Sequence, residues 1–259
     1  MIDINTFLEL GIRAQAVLIR VSFIIFFMPL IGDAYTPVRI RLLFALALTG
    51  VLLPVVQIDP ALLPQTPMQV LFALFPEFLL GLTLGLTARL VFAAVQFAGQ
   101  LAGEQIGFGI ANVIDPTQSA EISIVAQTWF LFSLLFFLAI DGHHIFISAI
   151  LRSFELVPLF AAQMPADLLH LMNRSVAEMF AIGILCAAPV LAAMLITNMA
   201  MGLVAKAVPQ VNIFIESFPI RIALGLLIMG VTFTALGSLL AKQFTRMDHN
   251  LEAVLQLMR

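Results

Sequence analysis

Long apolar runs with almost no charge constrain this chain more than any other feature. Leu42 to Ile58, Ile122 to Ile140 and Met179 to Ala205 contain no Asp, Glu, Lys or Arg. Three further runs are nearly as apolar: Ala14 to Ile31, interrupted by Arg20; Met68 to Ala98, broken by Glu77 and Arg89; and Ile222 to Ala241. A helix that crosses a bilayer needs roughly 20 mostly apolar residues. The alternating pattern of a membrane barrel is missing, so strands are not expected. The sequence therefore predicts an all-α, membrane-associated protein with about six long apolar segments.

Composition supports that class. Of 259 residues, 62% are hydrophobic and 10% charged, against about 45–50% and about 25% in soluble domains. So little charge leaves too few polar side chains to cover a soluble domain of this size. The net charge of −3 offers no basic field for nucleic acid. Cys186, the single cysteine, rules out an intramolecular disulfide and any CxxC redox or zinc chemistry, and reads as a small buried hydrophobe. Asp3 and Glu9 stand where a signal peptide would be basic, and no cleavage site follows Val21–Phe27. The first apolar segment is expected to be retained.

The connections are punctuated by proline. Asp59 to Pro67 holds Pro60, Pro64 and Pro67, which forbids a continuous helix there. Asp141 to Arg174 is the main polar connection, and Pro209 and Pro219 bracket a short one before the last segment. No repeat or low-complexity tract is visible. Arg39 and Arg41 fall on one side of the segments, Arg152 and Arg174 on the other. Lys242, Arg246 and Arg259 give a faint preference for a cytoplasmic C-terminus.

The third segment carries the richest pattern. On a wheel turning about 100° per residue, Gln96 and Gln100 fall within about 20° of Arg89, and Glu104 within about 60°. Gly81, Gly85, Gly99, Gly103 and Gly107 occupy the same half; Leu80, Leu84, Val91, Ala94, Ala98 and Leu101 lie opposite. Small residues at four-residue spacing let a second helix approach closely, and polar groups among them can bond to it. A charged residue at membrane depth usually faces other helices or an aqueous path. The stripe predicts one or the other.

Beyond Gly103 and Glu104 the chain loosens at Gly107 and Gly109, and Asp115-Pro116 disfavours helix. Between them lie Phe108, Ile110, Val113 and Ile114, an apolar patch that suits either a constriction or an ordinary packed connector. No catalytic signature appears: no HExxH, P-loop, GxSxG or GxGxxG. Asp141, His143 and His144 lack a third ligand at suitable spacing, so no metal site and no cofactor is expected. From Leu240 to Met258, apolar residues Leu240, Phe244, Met247, Leu251, Val254, Leu255 and Met258 recur at helical spacing. Lys242, Gln243, Arg246, Asp248 and Glu252 fill the other faces. That amphipathic tail could lie on lipid or dock another subunit.

The order of several short motifs is more specific than any one of them. Pro29 is followed by Pro37 and Arg39. Ala98-Gly99 and Ala102-Gly103-Glu104-Gln105-Ile106-Gly107 lead to Asp115-Pro116. Asp141-Gly142-His143, Ser153-Phe154 with Pro158, and Pro209-Gln210-Val211-Asn212-Ile213-Phe214 with Phe218-Pro219 complete the series. In this order the chain resembles the R-subunit family of the flagellar type III export gate, over most of its length. The resemblance implies a structural and gating subunit, not an enzyme, in the bacterial inner membrane at the flagellar basal body. It implies assembly with P and Q subunits, contact with the B subunit, and passage of unfolded flagellar export substrates. Membrane lipid would touch only part of the apolar surface. It further implies helical hairpins, with a P-like part over residues 1–175 and a Q-like hairpin with its tail over 176–259. A plug would be formed by Gly107, Phe108, Gly109, Ile110, Val113, Ile114, Asp115 and Pro116, and assembly contacts by Lys206, Pro209, Gln210, Asn212, Phe214 and Pro219. Lys206 departs from the arginine common in the family, which puts a forked contact there in doubt.

Three other readings stand beside this one. The homologous injectisome gate shares the motifs, and Val208 to Pro219 favours the flagellar branch. A small-solute secondary transporter could use Arg89 and Glu77, although such folds carry repeats. An intramembrane enzyme would have only Glu104, Asp141, His143 and His144 to work with.

Overall fold

Proline, glycine and a few capping side chains set the helix ends in this chain. The computed structural model describes every residue except 1–3, 30, 33–35, 57, 59, 109–122, 209 and 211–212. Among the described residues there are α-helices, one 3₁₀ turn at Pro60–Leu62 and no strands. The α-helices are α1 (Ile4–Phe27), α2 (Val38–Leu52), α3 (Pro67–Ile106), α4 (Ile124–Ala139), α5 (His143–Leu156), α6 (Asp167–Ala207) and α7 (Ile213–Met258). The all-α expectation holds.

The start of α3 shows how local chemistry fixes a boundary. Pro67 takes the first helical position, where its missing N–H costs nothing. The Thr66 hydroxyl accepts the Gln69 backbone N–H at 3.3 Å, and Gln69 Oε1 accepts the Thr66 N–H at 3.2 Å. This is a reciprocal capping box. At the other end of α2, Arg13 from α1 donates to the Leu53 carbonyl at 2.7 Å and also to the Val56 carbonyl, satisfying orphan acceptors past the last turn.

The six apolar segments become four helices long and apolar enough to cross a membrane: α1 from Leu8, α3, α6, and α7 from Glu216. The fourth segment gives α4, which joins α5 at a 70° bend and forms a fifth span only if the pair is counted as one. The second segment folds as α2, 15 residues long. That is short of a full crossing.

The chain divides into two compact units. Unit 1 holds Met1–Leu90, Leu138–Ser175 and Phe244–Arg259; unit 2 holds Val91–Phe137 and Val176–Gln243. In unit 1, α1 buries Ala16, Val17, Arg20, Val21, Ile24 and Ile25, one continuous stripe at helical spacing that Met28 extends just past its end. The tail of α7 buries Phe244, Met247, Leu251, Val254, Leu255 and Met258 in the same unit. Its apolar face is thus covered by this chain itself, rather than lying on lipid or waiting for a partner. Gln243, placed on the polar side by periodicity, is buried as well. The tail is tied down where the Gln163 N–H meets the Met258 carbonyl at 3.0 Å.

In unit 2, Phe92, Val95, Ala98, Ala102 and Ile106 of α3 are buried, as are Val125, Ala126, Trp129, Phe130 and Phe137 of α4. Phe92 meets the Phe137 ring edge-on at 5.3 Å between centroids. Cys186 is buried in α6 with Ala187, Val190 and Met194, as its apolar setting implies.

Candidate functional site

Helix α3 runs through both units, and its small residues are used differently in each. In unit 1, Gly81 and Gly85 lie against α1. A Cβ at Gly81 would sit 2.6 Å from the Arg20 carbonyl oxygen, and one at Gly85 would sit 2.9 Å from that of Phe23. Only glycine permits backbones this close. Leu80 and Leu84, on the opposite side of α3, are also buried. The helix is therefore enclosed on both faces, rather than being buried along one stripe.

That close approach frames a polar node. Arg20 and Glu77 are both 0% exposed, with Arg20 Nε 2.6 Å from Glu77 Oε2. Arg20 Nη1 donates to the Ser153 and Val157 carbonyls at the end of α5, at 2.7 and 2.8 Å. Its guanidinium carbon lies 4.5 Å from the centre of the Phe154 ring. Glu77 Oε1 accepts the Phe160 N–H at 2.8 Å, where the chain turns with a positive φ of 67°. Arg20 Nη2 has no hydrogen-bond partner among the described residues. One ion pair thus ties α1, α3, the end of α5 and the following turn together. Periodicity alone did not single out this pair. The signal was there, in two opposite charges standing alone in separate apolar runs, because a charge at membrane depth is stable only when paired.

In unit 2 the same stripe meets α4. A Cβ at Gly99 would sit 2.6 Å from Ala126 Cα, and one at Gly103 would collide with Ser123 Oγ. Gln100, half-buried, uses both ends of its amide. Oε1 accepts the Ser123 backbone N–H at 3.1 Å, and Nε2 donates to Glu104 Oε1 at 2.8 Å. The Ser123 hydroxyl accepts the Val125 N–H at 3.2 Å and so caps the start of α4. Ser123 ahead of an apolar run was the sequence signal for that cap. Helix α3 ends where the Gly107 and Phe108 N–H groups both donate to the Gly103 carbonyl, at 3.1 and 3.0 Å. Gly107 has φ 112°, the left-handed geometry that ends many helices and favours glycine.

The predicted residues thus fall in different places. Gln100, Gly103, Glu104, Gly107 and Phe108 come together with Ser123 around the last turns of α3, and Gly99 lies one turn earlier. Gly81 and Gly85 belong to the unit 1 contact instead, while Arg89 and Gln96, which fall between these groups along α3, are half-buried. Lys206, Gln210 and Pro219 are exposed. Gly109, Ile110, Val113, Ile114, Asp115, Pro116, Pro209 and Asn212, with the Phe214 side chain, lie outside the described residues. No group of three or more His, Cys, Asp or Glu that could hold a metal occurs among the described residues.

Large apolar side chains also face outward. Leu185, Leu195, Ile196, Met199 and Leu203 of α6 and Leu227 and Val231 of α7 are each more than half exposed. Large apolar side chains exposed in such number on two helices suit contact with membrane or with other proteins.

Comparison with known proteins places these features in context. The model of the family "Bacterial export proteins, family 1" matches residues 13–247. The chain is 30% identical over 238 residues to a flagellar biosynthetic protein FliR of Bacillus subtilis, covering 90% of each. It is 31% identical over 223 residues to the FliR of Caulobacter vibrioides, covering 86% of this chain and 89% of the relative. It is also 25% identical over 222 residues to the surface presentation of antigens protein SpaR of Shigella sonnei, covering 84% of each.

Proposed function

The chain belongs to the bacterial export proteins, family 1, and from that membership we propose that it is a subunit of the flagellar type III export gate. It sits in a membrane, with four helices able to cross one, and associates with other components of the export apparatus. The observation that carries this reading is a family match running from residue 13 to residue 247, with flagellar relatives alike over nearly their whole length. Identity to the flagellar relatives runs from 26% to 31%, against 25% to the surface-presentation protein, and supports the flagellar branch over the injectisome.

The finer parts of the proposal rest on the motif order. The chain joins P and Q subunits in the inner membrane at the flagellar basal body, touches the B subunit, and helps form the channel for unfolded flagellar proteins. Residues 1–175 are P-like and 176–259 Q-like. Lys206, Pro209, Gln210, Asn212, Phe214 and Pro219 contribute to assembly, and the exposure of Lys206, Gln210 and Pro219 is compatible with that. Gly107 to Pro116 plugs the closed channel, which suits the apolar residues there because an apolar constriction excludes water.

Secretion of flagellar subunits into the medium tests the function. A strain lacking this chain is expected to secrete none and to recover on complementation; undiminished secretion without the chain would overturn the reading. Deleting Phe108–Val113 tests the plug. The complex is expected to assemble but to conduct ions when closed, whereas wild-type conductance would remove the plug from the proposal.

A further inference from the structure

We propose that the turn 158–163 is a strained latch through which the buried Arg20–Glu77 pair holds down the end of the C-terminal tail. The inference goes beyond the gate reading and does not depend on it. Every residue it uses lies in unit 1. The Ala161 N–H donates to the Pro158 carbonyl at 3.2 Å, which closes a β-turn with Leu159 and Phe160 at its centre. Phe160, the third residue of that turn, has φ 67°. A turn with positive φ at its third residue ordinarily places glycine or asparagine there. A bulky side chain in that conformation is strained and persists only where its surroundings hold it. Here the hold is Glu77 Oε1, which accepts the Phe160 N–H at 2.8 Å from a fully buried carboxylate. Three residues on, the Gln163 N–H donates to the Met258 carbonyl at 3.0 Å, in the last turn of α7. That carbonyl is one of the acceptors a helix end leaves unmatched.

The chemistry selects a carboxylate at position 77. Two donors approach it, Arg20 Nε at Oε2 and the Phe160 N–H at Oε1, and a carboxylate offers an oxygen to each. An amide has one acceptor oxygen and would strand one of them. Arg20 also donates to the Ser153 and Val157 carbonyls, just ahead of the turn. So α1 grips the start of the turn through Arg20, and α3 grips its centre through Glu77. Gly81 and Gly85 hold these two helices at backbone contact. A shift of α1 along α3 therefore draws Arg20 from Glu77 and loosens the hold on Phe160. The turn then relaxes and takes Gln163 away from Met258. Movement of α1 against α3 is in this way passed to the end of α7.

The test is amide hydrogen exchange in the full chain, recovered in detergent with its partner subunits. Exchange is read over residues 254–258 and, for reference, over 244–247. Phe160→Val and Phe160→Gly both remove the ring but differ in backbone: valine resists positive φ, and glycine adopts it freely. Phe160→Val is expected to speed exchange over 254–258 about threefold to tenfold, the range that loss of one net hydrogen bond gives in a local opening. Exchange over 244–247 is expected to stay unchanged. Phe160→Gly is expected to leave both segments at the wild-type rate. Glu77→Asp keeps a charge beside Arg20 but is one methylene too short to reach both donors. It is expected to act like Phe160→Val, and adding Phe160→Gly is expected to cancel the effect. Gln163→Pro deletes the donor to Met258 and is expected to match Phe160→Val. Equal rates in Phe160→Val and Phe160→Gly would overturn the strained turn, and a wild-type rate in Gln163→Pro would overturn its link to the tail. A rise in Glu77→Asp that Phe160→Gly does not cancel, or that 244–247 shares equally, would also overturn the latch, since the pair would then act on the unit as a whole. Should Glu77→Asp not be recovered, the latch stands or falls on the two Phe160 variants and Gln163→Pro.

Discussion

The two halves of α3 apply one sequence device to opposite ends. In both, glycines four residues apart bring a neighbouring backbone into contact: α1 at Gly81 and Gly85, α4 at Gly99 and the Ser123 cap at Gly103. The first half backs that contact with a fully buried ion pair, Arg20–Glu77. The second backs it with a neutral, half-buried amide, Gln100, whose partner Glu104 is exposed. A buried pair is costly to break, because the survivor is left as an uncompensated charge. A single amide bond at a surface is worth about 1 kcal/mol net. Small-residue spacing alone therefore does not say whether a helix contact is permanent or adjustable; the polar group behind it does.

Substitutions can break or sharpen this contrast. The largest effect is expected from Glu77→Leu, which strands Arg20 in the core of unit 1 and costs about 3–5 kcal/mol. Thermal unfolding in detergent should show it as a collapse of the midpoint or as loss of recoverable protein. A near-wild-type midpoint would mean that the pair does not tie the unit together. Next comes Gly103→Leu, expected to wedge α4 from α3 and block recovery with partner subunits. Gly230→Ala serves as its control, because nothing among the described residues lies within 4 Å of a Cβ there and alanine is favoured over glycine in a helix by about 1 kcal/mol. If both variants assemble normally, close approach at Gly103 is not needed. A smaller loss is expected from Arg20→Lys, about 1–3 kcal/mol, since an ammonium cannot reproduce the guanidinium fork or its stacking on Phe154. The smallest is Arg152→Ala. Its ion pair with Asp248 is 3.9 Å long and substantially exposed, so the midpoint should move by no more than about 0.5 kcal/mol of stability.

Much of the fold was legible because apolar runs and prolines leave few choices. Helix type, the Pro67 boundary and the periodic tail all follow from spacing, whereas Pro219, expected to bracket the last connection, lies inside α7, which already starts at Ile213. The span count was less legible. The run Leu42–Ile58 looks long enough, yet α2 stops at Leu52, and hydropathy does not report the 70° bend after α4. The tail's destination was hidden for a related reason: an amphipathic face does not reveal whether lipid, a partner or its own chain will cover it. At the site, the glycine–polar stripe identified Gly99, Gln100, Gly103 and Glu104, all of which contribute to the α3–α4 contact. It also drew in Gly81 and Gly85, which serve α1, because a helical wheel shows angle but not which neighbour stands at each level. The pairing of Arg20 with Glu77 and of Ser123 with Gln100 emerged only in three dimensions, since the partners of these residues lie 23 to 137 residues away.

The exposed apolar faces of α6 and α7 bear most directly on the claim that this chain is one subunit of a larger gate. The decisive measurement is the mass and composition of the complex recovered with the tagged chain in mild detergent. The expected result is a hetero-oligomer containing small apolar subunits of the same export apparatus. A monomer that is stable alone and moves a small solute into liposomes would contradict it.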